Sequence, residues 1–292
     1  MRIKPLRESL PGIFLCGFLL SCIFLSDALA GDIVIFGDSQ QNETIRRRVV
    51  HAILAFKPSV VFSAGDNVDD GRDPRQWALY NDINEPLLKA ADYFTALGNH
   101  EEESSLCFLN YPCLDHKRWY SVEREGIHFI ILDSSSDLRS GSDQYHWLIS
   151  DLKSIKRDVK FRVAIFHHPI FNVGFHRPDA KRLKPILLPL FQKYGICAVF
   201  SGHDHNYQRF EYKGIYFIVT GGGGANLYSR FWRSPYLQKF VKAYHFCLLS
   251  PGTDSLTVRV IGLDSKTIDD FAIPYSGEKF RSAEVFDKEC QP

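Results

Sequence analysis

The order of strand and helix patterns near the start of the chain limits its fold more than any other feature. Residues 32–36 form a short, continuously apolar run, and further strand patterns follow at 60–62 and 93–96. Helical segments are predicted between these runs, over 44–56 and 74–88. A continuously apolar run is typical of a strand that is buried on both faces. The β-α-β-α-β order therefore predicts a parallel sheet covered by helices.

The rest of the chain continues this alternation and then becomes antiparallel, so the whole is predicted as a layered α/β sandwich with mixed sheets. Residues 104–118 carry neither a helical nor a strand period. Pro185 and Pro189 are expected to kink the helix that contains them. The predicted elements are a hairpin (119–132), a helix (144–155), a strand (161–166), a helix (179–194), a strand (197–200), a hairpin (207–220) and three strands (243–249, 255–261, 268–273).

The first thirty residues have the pattern of an export signal. Three basic residues open the segment, residues 13–25 are mostly apolar, and residues 28–30 form the small-x-small pattern that precedes cleavage. An uncleaved anchor and a lipoprotein signal at Cys22 are the alternatives. We predict a signal peptide at 1–30 and one domain at 31–292, secreted or periplasmic, with no membrane span after cleavage.

The charge of the mature chain gives no sign of a polyanionic partner. Cleavage leaves 262 residues, with 32 basic and 32 acidic side chains. This balance gives no electrostatic case for binding to nucleic acid or to an anionic membrane.

Five cysteines follow the predicted cleavage site. Cys107 and Cys113 flank a short loop, and in an exported protein they are the expected disulfide. Cys197 and Cys247 lie in apolar strand-like runs and are expected to be buried thiols. No Cys-x-x-Cys motif is present, so neither a zinc ribbon nor a thioredoxin-like site is indicated.

Five predicted strands end in side chains that bind metals well. In open α/β sheets ligands bind outside the carboxyl ends of the strands, so these loops are expected to converge. One such side chain alone is usually a hydrogen-bonded structural residue. Five strand ends in succession favour a metal site instead. The side chains are Asp38 with Gln40, Asp66 with Asn67, Asn99 with His100, His167 with His168, and His203 with His205.

The order of these residues resembles that of the calcineurin-like metallophosphoesterase superfamily. After the first Asp at 38, the matching motifs are Gly-Asp at 65–66, Gly-Asn-His-Glu at 98–101, His-x-Pro at 167–169 and Gly-His-x-His at 202–205. The last motif, continued as Asn-Tyr, looks closest to the purple-acid-phosphatase-like branch. The resemblance covers nearly all of the mature chain and implies a four-layer α/β/β/α sandwich with two mixed β-sheets.

The resemblance also implies roles for the residues at the strand ends. Asp66 is implied to bridge two metal ions, and His100 to protonate the leaving alkoxide. Oxygen ligands mixed with imidazoles suit Fe, Mn or Zn. His168 is an alternative ligand to His167, which the resemblance favours. The other implied ligands are Asp38 and His205 for the first ion, and Asn99, His167 and His203 for the second.

Two positions depart from the family pattern. Purple acid phosphatases have a Tyr three residues after the bridging Asp, and here that position is Asp69. Without the phenolate we expect no charge-transfer colour and a weaker preference for ferric iron. The usual Gly or His of the first motif is Gln40, whose amide oxygen is a candidate ligand of the first metal or a hydrogen-bond partner of its water.

These features predict an exported phosphoesterase that depends on two metal ions. It is expected to hydrolyse phosphomonoesters or phosphodiesters, of small molecules or nucleotides, by means of a metal-bridging hydroxide. Asn99, His100 and His176 are the expected substrate-binding residues, although His176 has an ordinary solvated loop histidine as its alternative. A non-catalytic metal- or ligand-binding protein on the same fold is the rival hypothesis, which the retention of His100 disfavours.

A later stretch, residues 228–242, mixes aromatic with basic side chains. It is predicted either as a rim that meets the organic part of a phosphate ester or as an ordinary surface loop. The surface loop is favoured, since such mixtures often cover exposed core edges.

Overall fold

The computed structural model describes residues 32–101, 104–156 and 158–275. The predicted signal peptide at 1–30 lies outside these residues, as does Cys290. Within the described ranges, no helix combines the length and the apolar composition that crossing a bilayer requires.

The described residues form thirteen strands and five α-helices. The strands are β1 (Ile33–Phe36), β2 (Val60–Ser63), β3 (Asp92–Thr95), β4 (Tyr120–Arg124), β5 (Ile127–Ile131), β6 (Phe161–Ile165), β7 (Ala198–Ser201), β8 (Tyr207–Tyr212), β9 (Ile215–Thr220), β10 (Leu237–Val241), β11 (His245–Pro251), β12 (Ser255–Gly262) and β13 (Thr267–Pro274). The helices are α1 (Glu43–Leu54), α2 (Pro74–Ala90), α3 (Leu106–Asn110), α4 (Asp143–Ser154) and α5 (Ala180–Tyr194).

The strands form two mixed sheets. One has the order β13-β12-β11-β1-β2-β3, and the other has the order β10-β8-β9-β7-β6-β5-β4. Strands β1, β2 and β3 are parallel, as are β5, β6, β7 and β9, and the remaining pairs are antiparallel. The parallel β-α-β-α-β unit is therefore the one that the sequence predicted.

Strand β1 shows how the layers are built. Ile33 and Ile35 point into the core between the two sheets, whereas Val34 and Phe36 pack with helix α1. Successive side chains of a strand point to opposite faces, so a strand that is apolar throughout needs cover on both sides. Helices α1 and α2 cover the first sheet, and helices α4 and α5 cover the second. The result is the predicted α/β/β/α sandwich.

Local signals fix where several helices begin and end. The Asn42 side chain accepts a hydrogen bond from Ile45 N at 3.1 Å and caps α1. Asp73 caps α2, which has Pro at its first position, where no intrahelical donor is required. Helix α5 ends at Gly195, whose φ of +70° suits glycine. These ends place the strands that follow, and with them the polar loops.

Replacing Phe129 with alanine is expected to destabilise the protein by about 3–5 kcal/mol, the usual cost of truncating a buried aromatic residue. Phe129 is fully buried between the sheets, where its ring centroid lies 4.3 Å from that of Phe62. Urea unfolding measures the loss. Leu109→Ala is the control: Leu109 is 73% exposed, so its truncation should change stability by less than about 0.5 kcal/mol. Equal losses in the two variants would contradict the assigned core.

Two segments differ from the sequence prediction. Residues 104–118 contain α3 and a 3-10 turn at Pro112–Leu114, although they show no clear period. Elements this short are held by tertiary packing: Cys107, Tyr111 and Leu114 are buried in the core between the sheets. Strand β10 lies within 228–242, where no strand was predicted, because its backbone pairs with β8 and so forms the edge of the second sheet.

The cysteines also depart from one expectation. Cys107 and Cys113 are free thiols, so the expected disulfide is not formed in the structure. Each sulfur has another partner: Cys107 Sγ donates to Ser104 O at 3.0 Å, and Cys113 Sγ accepts from Tyr120 Oη at 3.8 Å. Cys247 is buried as predicted, whereas Cys197 is only partly buried.

Candidate metal centre

The carboxyl ends of strands from both sheets meet at one edge of the sandwich. Asp38, which follows β1, accepts hydrogen bonds from His203 N, which follows β7, at 2.9 and 3.0 Å. His167, which follows β6, donates from Nδ1 to Ala64 O, just after β2, at 2.9 Å. The two sheets thus bring the predicted loops into direct contact.

One group of donor atoms surrounds Nε2 of His167. This nitrogen lies 3.1 Å from Asp66 Oδ2, 3.1 Å from Asn99 Oδ1 and 3.2 Å from His203 Nδ1. Candidate ligand atoms of Asp66, His167 and His203 all lie within 4.8 Å of one another. The structure therefore brings together the four residues that the resemblance assigns to the second ion.

A second group surrounds Nε2 of His205. It lies 3.5 Å from Asp38 Oδ1 and 3.5 Å from Gln40 Nε2, and all three side chains are buried. Gln40 Oε1 is also buried and has no hydrogen-bond partner in the described part of the chain. A buried amide oxygen without a partner is costly, and a metal ion beside it would satisfy it.

The histidine rings are oriented as ligands should be. His167 Nδ1 donates to Ala64 O, and His205 Nδ1 donates to Asn226 O at 2.8 Å. His203 uses Nε2 instead, donating to Asp179 Oδ2 at 3.0 Å. In each ring one nitrogen is engaged by an oxygen acceptor, which directs the other towards the donor groups. Burial also lowers the pKa of His205 to about 4, which keeps that ring neutral, as ligation requires.

The electrostatics of the centre favour a cation. Burial opposes charge on His167, but the Asp66 and Asp38 carboxylates outweigh it and raise the pKa of His167 to about 10. Burial opposes ionisation of Asp66 as well, yet attraction to His167 outweighs it and lowers the Asp66 pKa. For Asp38 burial dominates and raises the pKa well above its usual value. The Asp66 carboxylate thus stabilises positive charge among the donor atoms, and the buried Asp38 carboxyl would be held ionised by a cation beside it, so the residues present fit a metal ion.

Three of these residues have backbone angles that are rare outside glycine. The φ angles are +58° at Asp38, +56° at Asp66 and +70° at His203. Asp and His are among the residues that adopt this region more readily, although still at some cost. Strained residues of this kind cluster at functional sites, where the surrounding structure holds them in place.

Glycines next to the site leave room for the carboxylates. A Cβ on Gly98 would overlap Asp66 Oδ1, and one on Gly202 would overlap Asp38 Oδ2. Gly221 packs against both Asp38 and Asp204, as expected for a backbone that passes close to the centre. These glycines therefore serve close packing around the donor groups.

The buried Glu101 side chain positions the loops that carry the donors. Its carboxylate accepts hydrogen bonds from the backbone N–H groups of Asp66 and Gly98, at 3.0 and 2.9 Å, and from that of Asn67 at 2.5 Å. Tyr111 Oη donates to the same group at 3.1 Å. Burial and the nearby Asp66 charge raise the pKa of Glu101. The fourth residue of the Gly-Asn-His-Glu motif thus clamps two strand-end loops together.

His100 lies at the open side of the centre. Its side chain is 33% exposed, and its Nε2 lies 3.8 Å from Asp66 Oδ2. Nδ1 donates to the backbone carbonyl of Asp69 at 2.6 Å, so that Nε2 is the nitrogen left to face the site. The Asp69 carboxylate accepts from Gln41 at 3.1 Å.

The structure gives different surroundings to two further predicted positions, His176 and His168, and to Asn172 in the same loop as His176. His176 lies at the site, with its ring centroid 4.0 Å from that of His203. Asn172 hydrogen-bonds instead to Asp204 and, through Oδ1, accepts from Gln208 at 2.9 Å, so it braces the loop. His168 Nδ1 pairs with Ser134 Oγ at 2.9 Å, which leaves His167 as the histidine beside Asp66.

Sequence reasoning missed Asp179, which stands between two of the histidines. Its Oδ2 lies 3.0 Å from His203 Nε2 and 3.6 Å from His176 Nδ1. A carboxylate in this position fixes the tautomer and orientation of a ligating imidazole. The only hint in the sequence was that Asp179 lies three residues after His176 at the start of a helix. That spacing is common in solvated turns, so it does not by itself indicate a site.

Asp179→Asn is expected to weaken metal binding by roughly 10- to 100-fold, because the neutral amide holds His203 less firmly in the ligating tautomer. Competition with a fluorescent chelator, titrated with Mn²⁺ or Zn²⁺, measures the change. Asp264→Asn, in the turn between β12 and β13, is the matched control and should bind metal as the wild type does. Unchanged affinity in Asp179→Asn would show that His203 needs no such support.

The two-sheet sandwich with carboxylate, amide and imidazole donors at its strand ends defines the class of protein. Residues 31–207 match the family model described as calcineurin-like phosphoesterase. The chain therefore belongs to the calcineurin-like phosphoesterase family, and the resemblance found in the sequence is confirmed.

Several purple acid phosphatases are similar to this chain in sequence. Purple acid phosphatase 18 of Arabidopsis thaliana is 29% identical over 150 residues, which are 46% of this chain and 34% of that protein. Purple acid phosphatase 1 of Ipomoea batatas is 27% identical over 200 residues, which are 61% of this chain and 42% of that protein. The chain thus spans less than half the length of these relatives.

Two solved structures share the fold. Purple acid phosphatase PPD1 from yellow lupin (Lupinus luteus) seeds has a TM-score of 0.73 at 20% identity, covering 86% of this chain and 55% of that one. GAP50, the anchor in the inner membrane complex of Plasmodium, has a TM-score of 0.74 at 18% identity, covering 89% of this chain and 95% of that one. The predicted α/β/β/α architecture is confirmed by these likenesses.

Proposed function

We propose that this chain is a metal-dependent phosphoesterase that hydrolyses phosphomonoesters or phosphodiesters. The observation that carries the proposal is the meeting of two buried donor groups, one around His167 and one around His205, beside the exposed His100. Family membership and the purple acid phosphatase relatives support the same activity. A purely structural cluster would need neither two carboxylates nor an accessible imidazole.

In this proposal two metal ions would share Asp66. Fe, Mn and Zn are the metals that suit this mixture of oxygen and imidazole ligands. When bound, they would supply an activated water and neutralise charge on the phosphoryl oxygens. Asp38, Asp66 and His205 would hold the first ion, with Gln40 Oε1 as a further donor, and Asp66, Asn99, His167 and His203 would hold the second.

The chain's own acid is His100. Nδ1 is engaged by the Asp69 carbonyl at 2.6 Å, so the proton on Nε2 is the one that can be transferred. Nε2 faces the site from its solvent side, where an alcohol must leave as the phosphorus–oxygen bond breaks. Protonation of that oxygen by the imidazolium form of the ring, which carries a proton on each nitrogen, avoids a free alkoxide and leaves a neutral imidazole with its proton on Nδ1. Asn99 and His176 orient the phosphoryl group beside it.

Asp69 stands where purple acid phosphatases carry the Tyr that binds iron. We infer that the loaded protein is colourless and does not require ferric iron. The Asp69 carboxylate, which pairs with Gln41, provides no phenolate for charge transfer.

We also propose that the protein is exported and that residues 31–292 form one catalytic domain.

The experiment is hydrolysis of p-nitrophenyl phosphate and bis-p-nitrophenyl phosphate by the purified chain after reconstitution with Mn, Fe or Zn. Turnover by the wild type and loss of turnover in Asn99→Ala are expected, and the preferred ester distinguishes a monoesterase from a diesterase. If no metal supports hydrolysis of either ester, the rival hypothesis of a non-catalytic binding protein replaces this one.

A further inference from the structure

A cluster of exposed aromatic side chains lies beside the proposed metal centre. We call Phe175, Tyr228, Phe231 and Trp232 the aromatic rim. Phe175 and Phe231 are 63% and 62% exposed, and Trp232 is 47% exposed. Large apolar side chains scattered singly on a surface need no explanation, but a contiguous exposed group often marks a binding site.

The aromatic rim is continuous with the histidines of the centre. Tyr228 stacks on His205 at a centroid distance of 4.2 Å with 16° between the ring planes. Phe175 lies 5.0 Å from the His176 ring and 6.1 Å from Tyr228, and Phe231 lies 6.2 Å from Phe175. The rings therefore lead outward, step by step, from a proposed metal ligand to solvent.

The backbone holds the aromatic rim in place. The N–H groups of Phe231 and Trp232 both donate to Val173 O at 2.9 Å, and Tyr228 N donates to His205 O at 2.9 Å. Phe175 N donates to the buried carboxylate of Asp204 at 2.9 Å. These bonds tie the rim to the loop that carries His203 and His205 and to the loop that follows His167. Its rings are thus presented by an anchored segment, so little ordering is required when a ligand binds.

The electrostatics of the aromatic rim suit a planar aromatic ligand. The Arg177 guanidinium lies 4.9 Å from the centroid of the Trp232 ring. Aromatic faces and a guanidinium plane both stack on planar rings, and such stacking tolerates many different ring systems. An aliphatic leaving group would gain only the weaker apolar contact.

From this geometry we propose that the aromatic rim binds a planar aromatic ring carried by the leaving alcohol of the phosphate ester. The inference rests on the proposed function, because the phosphoryl group must lie at the metal centre for its alcohol to reach Phe175 and Phe231. A nucleoside base and a simple aryl ring share this chemistry. The aromatic rim would then select among esters that the metals cleave by the same step.

The test compares adenosine 5′-monophosphate with ribose 5-phosphate, which have the same kind of primary alkoxide leaving group and differ mainly in the base. The wild-type enzyme is expected to prefer the nucleotide in kcat/KM by roughly 5- to 100-fold, the range for stacking of one base on an aromatic side chain. Phe231→Ala and Phe175→Ala should each move this ratio towards one, and Phe231→Tyr should restore it. Leu88→Ala, an exposed apolar residue of α2, should leave the ratio unchanged.

Benzyl phosphate against cyclohexylmethyl phosphate distinguishes the two sources of an aromatic ring. A preference for both aromatic esters, or for either one alone, supports the inference and shows which ring is accepted. If neither aromatic ester is preferred over its non-aromatic partner, or the preference persists in both Phe→Ala variants, the aromatic rim is not a subsite and the phosphoesterase proposal stands. If the wild type cleaves none of these four monoesters but hydrolyses bis-p-nitrophenyl phosphate, the inference fails and the phosphoesterase proposal stands. If it cleaves neither the four monoesters nor the two p-nitrophenyl esters, both proposals fail.

Discussion

Asp66→Asn is expected to lose most of its bound metal and to lower kcat/KM by about 10³-fold or more. The carboxylate lies in the donor group around His167, and the proposal has both ions share it. The metals supply several kcal/mol of transition-state stabilisation, and about 1.4 kcal/mol corresponds to each tenfold change in rate. Metal content by mass spectrometry, with phosphatase assays on the same samples, measures both effects.

Asp254→Asn, in the exposed turn between β11 and β12, is the control for the charge change and should retain both metal and activity. Circular dichroism shows whether Asp66→Asn remains folded. A folded Asp66→Asn variant with full metal content and full activity would show that Asp66 is not a ligand of the metals.

His100→Gln is expected to lower kcat by roughly 10²- to 10⁴-fold, the usual contribution of a general acid, while the metal content stays unchanged. The reason is the position of the ring: its Nε2 lies 3.8 Å from Asp66 Oδ2 on the exposed side, and Nδ1 is occupied by Asp69 O. The loss should be larger for alkyl phosphates than for p-nitrophenyl phosphate, whose leaving group needs no proton.

The dependence on the leaving group separates acid catalysis from a structural role. His116→Gln, at an exposed position, is the control and should leave the kinetics unchanged. A uniform loss for every ester would instead assign His100 to substrate binding. Loss of metal in His100→Gln would assign it to the centre itself.

The parts of the centre that follow from strand order could be predicted from sequence. Asp38, Asp66 and Asn99 each follow a parallel strand of one sheet, and the carboxyl ends of parallel strands meet at one edge. His167 and His203 follow parallel strands of the other sheet in the same way. The close approach of these two sets of residues depends on how the two sheets pack against each other. The family resemblance predicted that packing, whereas the strand pattern alone did not.

The supporting contacts could not be predicted, because they depend on where a loop places one side chain. Asp179 reaches His203 only through the path of the loop before α5, and Asn226 contributes only its backbone carbonyl. A backbone acceptor leaves no trace in the sequence. Glu101 was visible as part of a motif, but its role as a clamp on Asp66 and Gly98 appears only from its hydrogen bonds.

Strand β10 and the contacts of the aromatic side chains before it could not be predicted for a similar reason. Strand β10 has no buried residue and no alternation of apolar and polar residues, so only its pairing with β8 defines it. The stretch that carries the aromatic side chains just before it was predicted to be an ordinary surface loop. Their contact with Phe175 comes from a distant part of the sequence, and composition alone does not reveal it.

The proposed sharing of the Asp66 carboxylate by two metal ions can be tested by anomalous scattering from crystals of the chain grown with Mn²⁺ or Zn²⁺. Two anomalous peaks are expected, both in contact with Asp66. One peak should lie beside Asp38 and His205, and the other beside His167 and His203. A single peak, or two peaks of which only one contacts Asp66, would contradict the proposed sharing.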